Sequence, residues 1–509
     1  LIDSAKITGV DGPMASAICR PRIVQLTDTW HIDRGRLGIF KTHFNSYILD
    51  YQIIFPYSHI SLSLIMSNLP GSDIKPWTRP APKGYKFINA NVVDVASGGV
   101  KENITVITVE GKITYAGPES SVPPSTDLET VDCQDKYLSP GLFDAHVHLC
   151  AVPGFSDLSK AFGNPNDVHL LRQPYTASQM LHRGFTSIRD CGGAQLALKE
   201  AIEDGVFPGP RVFISGHALS QFGGHGDLRG PHEPTECCGG THSNNHLGRM
   251  CNGVPECMAA VREEIRCGAD FIKIMGSGGV ASPTDKLEHL QFTSAEIQAM
   301  VECADNAGTF VTAHAYTVKA IRHCIDNGVR GIEHGNFVDP PTAKIMAEKG
   351  VYLTPTLIAY AQMASERWKN YLPIESQTKN TIVLKSGLDA LRVASEAGVT
   401  MCYGSDLLGP LGSAQTHEFA LRAQVLTPVE ILRSATVNPA KMMGCENELG
   451  QIKEGFRADV VILNKNPLED VTVFDKPDAH VLGVMKDGRI YKSRWADLLE
   501  DGQIPVKVQ

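Results

Sequence analysis

Residues 140–149 read PGLFDAHVHL, a Pro-Gly turn followed by a short apolar run that carries two histidines. The length and composition fit a buried strand. On a strand, His146 and His148 are two apart and point to the same face. Two imidazoles side by side form half a metal site, whereas two unpaired buried imidazoles would be costly. An HxH pattern alone fits two ordinary hydrogen-bonded histidines equally well. Its weight comes from the rest of the chain.

Downstream, strands and helices alternate. Residues 142–149, 186–190, 211–216, 271–275, 310–315, 331–334, 352–356 and 400–403 read as strands. Helical stretches such as SAEIQAMVECADNA and TVKAIRHCIDNG lie between them, the second ending in a Gly suited to a C-cap. Eight such units over about 300 residues predict an α/β fold, a (β/α)8 TIM-like barrel. A doubly wound sheet gives the same alternation. The barrel gains weight because polar residues end nearly all eight strands, and they converge only if the sheet closes.

The flanks differ. KFINANVVDV and NITVITVEGKITYAG precede the alternating region, and ADVVILNKNP and AHVLGVMKDGRIYK follow it. These short strands are expected to pair across the chain into one small β-sandwich domain. Four segments result: an extension over 1–84, the first part of the small domain over 85–140, the barrel over 141–447, and the second part over 448–509. Within 1–84, SYILDYQIIFPYSHISLSLIM has no steady period, and DIKPWTRPAPKGYK reads as a Pro-rich tether.

The chain has 509 residues, 42% of them hydrophobic, and 47 basic against 56 acidic residues give a net charge of −9. That balance disfavours a nucleic-acid partner. No apolar run is long enough to span a membrane. Thirteen cysteines, an odd count, suit a reducing compartment, so a cytoplasmic location is favoured over secretion. Neither a P-loop nor a GxSxG elbow occurs, which removes support for nucleotide binding and serine hydrolysis.

The polar residues at the other strand ends decide the chemistry. Lys273 sits inside the apolar run FIKIM, His314 ends TAH, His334 lies in GIEHG, and Asp406 ends GSD. Singly these read as a snorkelling lysine, backbone-bonded histidines and a helix-capping aspartate. Together with His146 and His148 they form a ligand set for divalent metal.

These pieces, in this order and followed by QIKEGFRADVVIL, resemble the metal-dependent amidohydrolase superfamily over residues 86–495. The resemblance implies that His146 and His148 bind one ion and His314 and His334 a second; four imidazoles with carboxylate-type oxygens make zinc the expected metal. A carboxylated Lys273 would bridge them, and Asp406 would bind the first ion and accept a proton as a metal-bridged hydroxide attacks a carbonyl. The carbamate would turn a costly buried cation into an anion with two donor oxygens. An unmodified Lys273 would instead favour a mononuclear centre of His146, His148 and Asp406.

GHALSQFGGHGD (216–227), FIKIMGSGGVASPTD (271–285) and GNFVDP (335–340) are similar to the Xaa-Pro and Xaa-Arg dipeptidase and fungal ochratoxinase-like group. That group often carries a second histidine two positions after the strand-five ligand, where this chain has Tyr316. Tyr316 is expected to donate to a substrate carbonyl or carboxylate. Residues 217–254 carry five histidines and three cysteines without regular ligand spacing. They read as a long loop over the pocket, with His225 and Asp227 near substrate. Arg189 is a candidate for a substrate carboxylate, or equally for a structural ion pair.

The implied reaction is hydrolysis of a carboxamide in an N-acyl amino acid or dipeptide-like small molecule. Cyclic-amide or imidazolone ring hydrolysis, or deamination, is the enzymatic alternative. A metal-binding protein without turnover is the other, which an intact Asp406 argues against. The helical exterior and split sheet domain leave room for a homo-oligomer.

Overall fold

The computed structural model describes residues 38–44, 47–53, 75–124, 127–162, 164–230, 232 and 247–501. It divides into two units, residues 1–76 and 77–509. In the first, strand Gly38–Phe44 pairs antiparallel with Tyr47–Ile53. The aperiodic reading of 1–84 thus gives way to a strand pair there. The remainder of 1–74 lies outside the described residues, as do 231 and 233–246 of the expected loop.

The second unit has an α/β fold with parallel sheets. Strands Leu142–Val147, Phe185–Asp190 and Arg211–Ile214 are neighbours in one. A six-stranded sheet includes Ile272–Met275, Val311–Ala315, Gly331–His334 and Tyr352–Thr354 in that order. Short strands Ala218–Ser220 and Gly248–Met250, not expected from sequence, extend its other edge.

The eighth expected strand, residues 400–403, is reduced to one bridge between Leu353 and Met401. The helix Pro428–Ser434 ends against it. Tyr403 N donates to Ser434 O at 2.7 Å, and Phe143 N to Ala435 O at 2.7 Å, which interrupts a regular ladder. The segment still bonds to both neighbours. Leu353 N donates to Thr400 O, Ala145 N to Tyr403 O, and Asp406 N to His146 O.

Period-2 alternation sorts the side chains. Ile272 and Ile274 pack into the core beneath the helices, whereas Lys273 and Met275 line a cavity. Each buried isoleucine contributes about 1.5–3 kcal/mol, so a one-residue slip would lose that twice and turn Lys273 outward. Two of the helices carry side-chain caps that their sequences suggest. Thr293 and Glu296 form a reciprocal capping box on Ser294–Asn306, and Thr317 caps Val318–Asp326.

The flanking segments do pair across the chain. Strand Val460–Leu463 runs antiparallel to Tyr137–Pro140 within an eight-stranded sheet that also contains Gly84–Asp94 and Val481–Lys486. Its own core includes Phe87, Val106, Leu138, Ile462 and Met485.

Candidate active site

His146 Nε2 lies 3.3 Å from His148 Nε2, and Asp406 Oδ1 lies 3.6 and 3.4 Å from the two. Strand parity aims both imidazoles at one point, as expected. Asp406 arrives from the adjoining 400–406 segment with a positive φ of 49°, and His334 also adopts a positive φ, 72°. Such conformations are uncommon for non-glycine residues and gather at functional sites. Rings of His146 and His334 are 5.0 Å apart, and those of His314 and His334 are 4.5 Å apart. Lys273 is 1% exposed and lines the same cavity. All six expected ligand residues therefore converge.

Partners behind the rings fix which nitrogen each offers. His148 Nδ1 donates to Gly192 O at 2.9 Å, and a carbonyl only accepts, so Nε2 is left bare. His146 Nδ1 donates to the Glu333 carboxylate at 2.8 Å, with the same result. His334 Nδ1 meets Thr356 Oγ1 at 2.7 Å and Tyr360 OH at 2.9 Å. His314 turns Nε2 toward Gly278 O at 3.3 Å, leaving Nδ1. Burial pushes His146 down to about 4, the Lys273 charge adding to it, and pushes His148, His314 and His334 down as well. Neutral imidazoles with a bare nitrogen are what metal ligation requires.

Among the described residues, two groupings bring ligand atoms close enough to share an ion: His146, His148 and Asp406, and His146, Cys191 and Glu333. In the second, Glu333 already occupies His146 Nδ1, and burial pushes the Cys191 thiol up to about 12. The first grouping fits a cation. Burial pushes Asp406 up to about 7 against the Lys273 charge.

Glu333 was not singled out in the sequence. It is fully buried and also accepts from Arg189 Nη2 and Thr312 Oγ1. Arg189 is 0% exposed and does not line the cavity, so of its two expected roles the structure has the structural ion pair and not the substrate contact. Nor does it pair with Asp190, whose carboxylate accepts from the amides of Leu149, Gly192 and Ala194. Asp227 likewise lies off the cavity. It grips Arg229 at 2.7 Å and Gly223 N at 3.0 Å, bracing its own loop. A charged residue inside an apolar strand was the available signal for both Arg189 and Glu333.

His225 and Tyr316 do line the cavity. The His225 ring stacks on His314 at 4.2 Å, and burial pushes it down to about 4. Tyr316 OH lies 2.9 Å from Tyr360 OH, and burial raises its pKa. Leu228, Leu247, Met275, Val280, Met363 and Leu408 complete apolar walls around about 630 Å³, open mouth included.

Residues 137–491 match the sequence model of the Amidohydrolase family. The chain belongs to that family. It is 32% identical to the ochratoxinase of Aspergillus niger over 417 residues, 80% of this chain and 86% of the relative. A solved prolidase, in complex with N-methylphosphonate-L-proline, is 40% identical with a TM-score of 0.77, covering 81% of this chain and 100% of that one. A solved Xaa-Pro dipeptidase with bound methionine is 29% identical with a TM-score of 0.71, covering 81% and 100%. Family and site together make this amidohydrolase a metal-dependent hydrolase of C–N bonds in amides or peptides. Among the described residues, no helix is long and apolar enough to cross a membrane.

Proposed function

We propose that this amidohydrolase cleaves the carboxamide of an N-acyl amino acid or dipeptide-like substrate at a two-metal centre, with zinc as the resident ion. The observation that carries this reading is the set of imidazoles with one nitrogen held from behind and the other turned to the cavity, beside Asp406. Similarity to an ochratoxinase, a prolidase and an Xaa-Pro dipeptidase supports the amide class.

His146, His148 and Asp406 would hold one ion and His314 and His334 the other, with a carboxylated Lys273 between them. A carbamate removes the cost of an ammonium at 1% exposure. Bound divalent cations supply Lewis-acid polarisation of the carbonyl and acidify water. Asp406 takes up the proton released in the attack and returns it to the leaving nitrogen. Tyr316, its hydroxyl held by Tyr360, faces the substrate carbonyl or carboxylate, and His225 faces the group beside it.

In this reading residues 141–447 form a closed (β/α)8 barrel. Support comes from the bonds of the 400–406 segment to both flanking strands and from Asp270 N donating to Ile214 O at 2.7 Å across the other gap. The strands of 85–140 and 448–509 form the companion domain.

The test is a release assay on purified protein with N-acyl amino acids, Xaa-Pro, Xaa-Arg and Xaa-Lys dipeptides, and ochratoxin A. The expected result is cleavage of at least one class, abolished by chelation and restored by zinc. Turnover confined to cyclic ureides, imidazolones or aminopurines would overturn it.

A further inference from the structure

A chain of three side chains leads away from the cavity at His225. His225 Nδ1 lies 2.7 Å from Ser282 Oγ, and Ser282 Oγ donates to Asp285 Oδ1. The far end is firmly set. Asp285 Oδ2 accepts from Gly279 N at 3.1 Å and from Gln291 Nε2 at 3.0 Å. Lys379 Nζ, reaching up from helix Ile374–Glu396, donates to the carbonyls of Gly279, Ser282 and Asp285 at 2.8, 2.9 and 3.0 Å. Every neighbour of the Asp285 carboxylate is a donor.

Donor counting then fixes the direction of each bond. A carboxylate only accepts, and a hydroxyl has one proton. Ser282 spends that proton on Asp285, so toward His225 it accepts. His225 Nδ1 must carry the hydrogen, and in the neutral ring Nε2 is bare. The ring cannot turn away, for His314 stacks on it at 4.2 Å. Gly279 closes the other approach, since a Cβ there would fall about 2.0 Å from His225 Cε1. His225 N is tied to Gln291 Oε1 at 2.9 Å.

Building on the amide-hydrolase reading, we propose that Asp285 and Ser282 are positioning residues that lock His225 in its Nδ1–H tautomer, so that Nε2 accepts a hydrogen bond from a donor on the substrate. The two act only through His225. Neither lines the cavity.

The test uses zinc-loaded protein carrying 15N in its histidine rings, with His225→Gln to assign the His225 signals. Wild type should show a protonated Nδ1 and a bare Nε2. In Asp285→Asn the amide can donate to Ser282 Oγ, releasing the hydroxyl proton toward Nδ1, and the tautomer should reverse. Ser282→Ala, the second variant should the first fail to fold, should lose the preference, and Ser282→Thr should restore it. With a cleaved substrate, kcat/KM should fall about tenfold or more in Asp285→Asn and Ser282→Ala at unchanged zinc content, and recover in Ser282→Thr. A protonated Nε2 in the wild type, or a tautomer and kcat/KM unmoved by both variants, would overturn the proposal. If no amide is cleaved, the functional reading fails, while the ring signals still decide the tautomer.

Discussion

Glu333 stands between His146 and Arg189, accepting from His146 Nδ1 at 2.8 Å and from Arg189 Nη2 at 2.5 Å, with all three side chains at or below 1% exposure. The carboxylate orients a metal ligand on one side and neutralises a buried guanidinium on the other. It is itself held well below the usual carboxylate range by Arg189 and His146, against the opposing effect of burial.

Glu333→Gln should therefore fail in two separate ways. Leaving Arg189 buried without a counter-charge should cost about 3–5 kcal/mol, read by denaturant unfolding. Loosening His146 should weaken metal binding about tenfold to a hundredfold, read by competition with a chelating dye. Arg189→Met, which removes the cation itself, should spare metal affinity more than Glu333→Gln does.

Asp406→Asn should lose turnover by about a hundredfold or more while retaining substrate binding. Because Asp406 sits 3.4 Å from His148 Nε2, zinc content must be measured alongside. Normal turnover at full zinc occupancy would remove Asp406 as the proton acceptor.

Tyr316→Phe removes one hydroxyl from the pair with Tyr360. Grip on the scissile carbonyl predicts that kcat and kcat/KM fall together by about tenfold to a thousandfold. Grip on a remote carboxylate predicts a rise in KM alone. Unchanged kinetics would take Tyr316 out of the reaction.

Metal-stripped protein should become less stable in acid. His146 and His225 fold with values near 4, below the ordinary 6.5. The unfolded chain then binds more protons between those values, so their contribution is complete above pH 6.5 and is lost as pH falls toward 4. Asp406, raised to about 7, acts in the opposite sense and is outweighed by the five depressed imidazoles, His148, His314 and His334 being the others. Melting temperature measured from pH 8 to 4 should stay level and then drop, and zinc should move the drop to lower pH. A melting temperature that rises on acidification would contradict the sign.

The convergence on one cavity was legible in two ways: strand parity put His146 and His148 on one face, and the resemblance added Lys273, His314, His334 and Asp406, which singly read as ordinary strand-end residues. Glu333 was not, because in a regular strand it and His334 would face opposite sides. The φ of 72° at His334 breaks that parity and lets neighbouring residues serve one centre. No composition rule marks a non-glycine residue for that conformation. Asp227 read as a substrate contact, and Arg189 as either that or an ion pair, for a related reason. A charge near a pocket looks the same in sequence whether it meets a ligand, as His225 can, or a protein partner, as Asp227 meets Arg229 two residues on. The irregular 400–406 segment was hidden because Ser434, which takes the Tyr403 amide, and Ala435, which takes the Phe143 amide of the neighbouring strand, lie about thirty residues further along.

A two-metal centre built on six named side chains should be visible by anomalous diffraction from zinc-loaded crystals. Two strong peaks are expected in the cavity, one against His146, His148 and Asp406 and one against His314 and His334, with density for a carboxyl group on Lys273 between them. A map without peaks at those residues, or with zinc held only by the histidines and cysteines of 217–254, would contradict it.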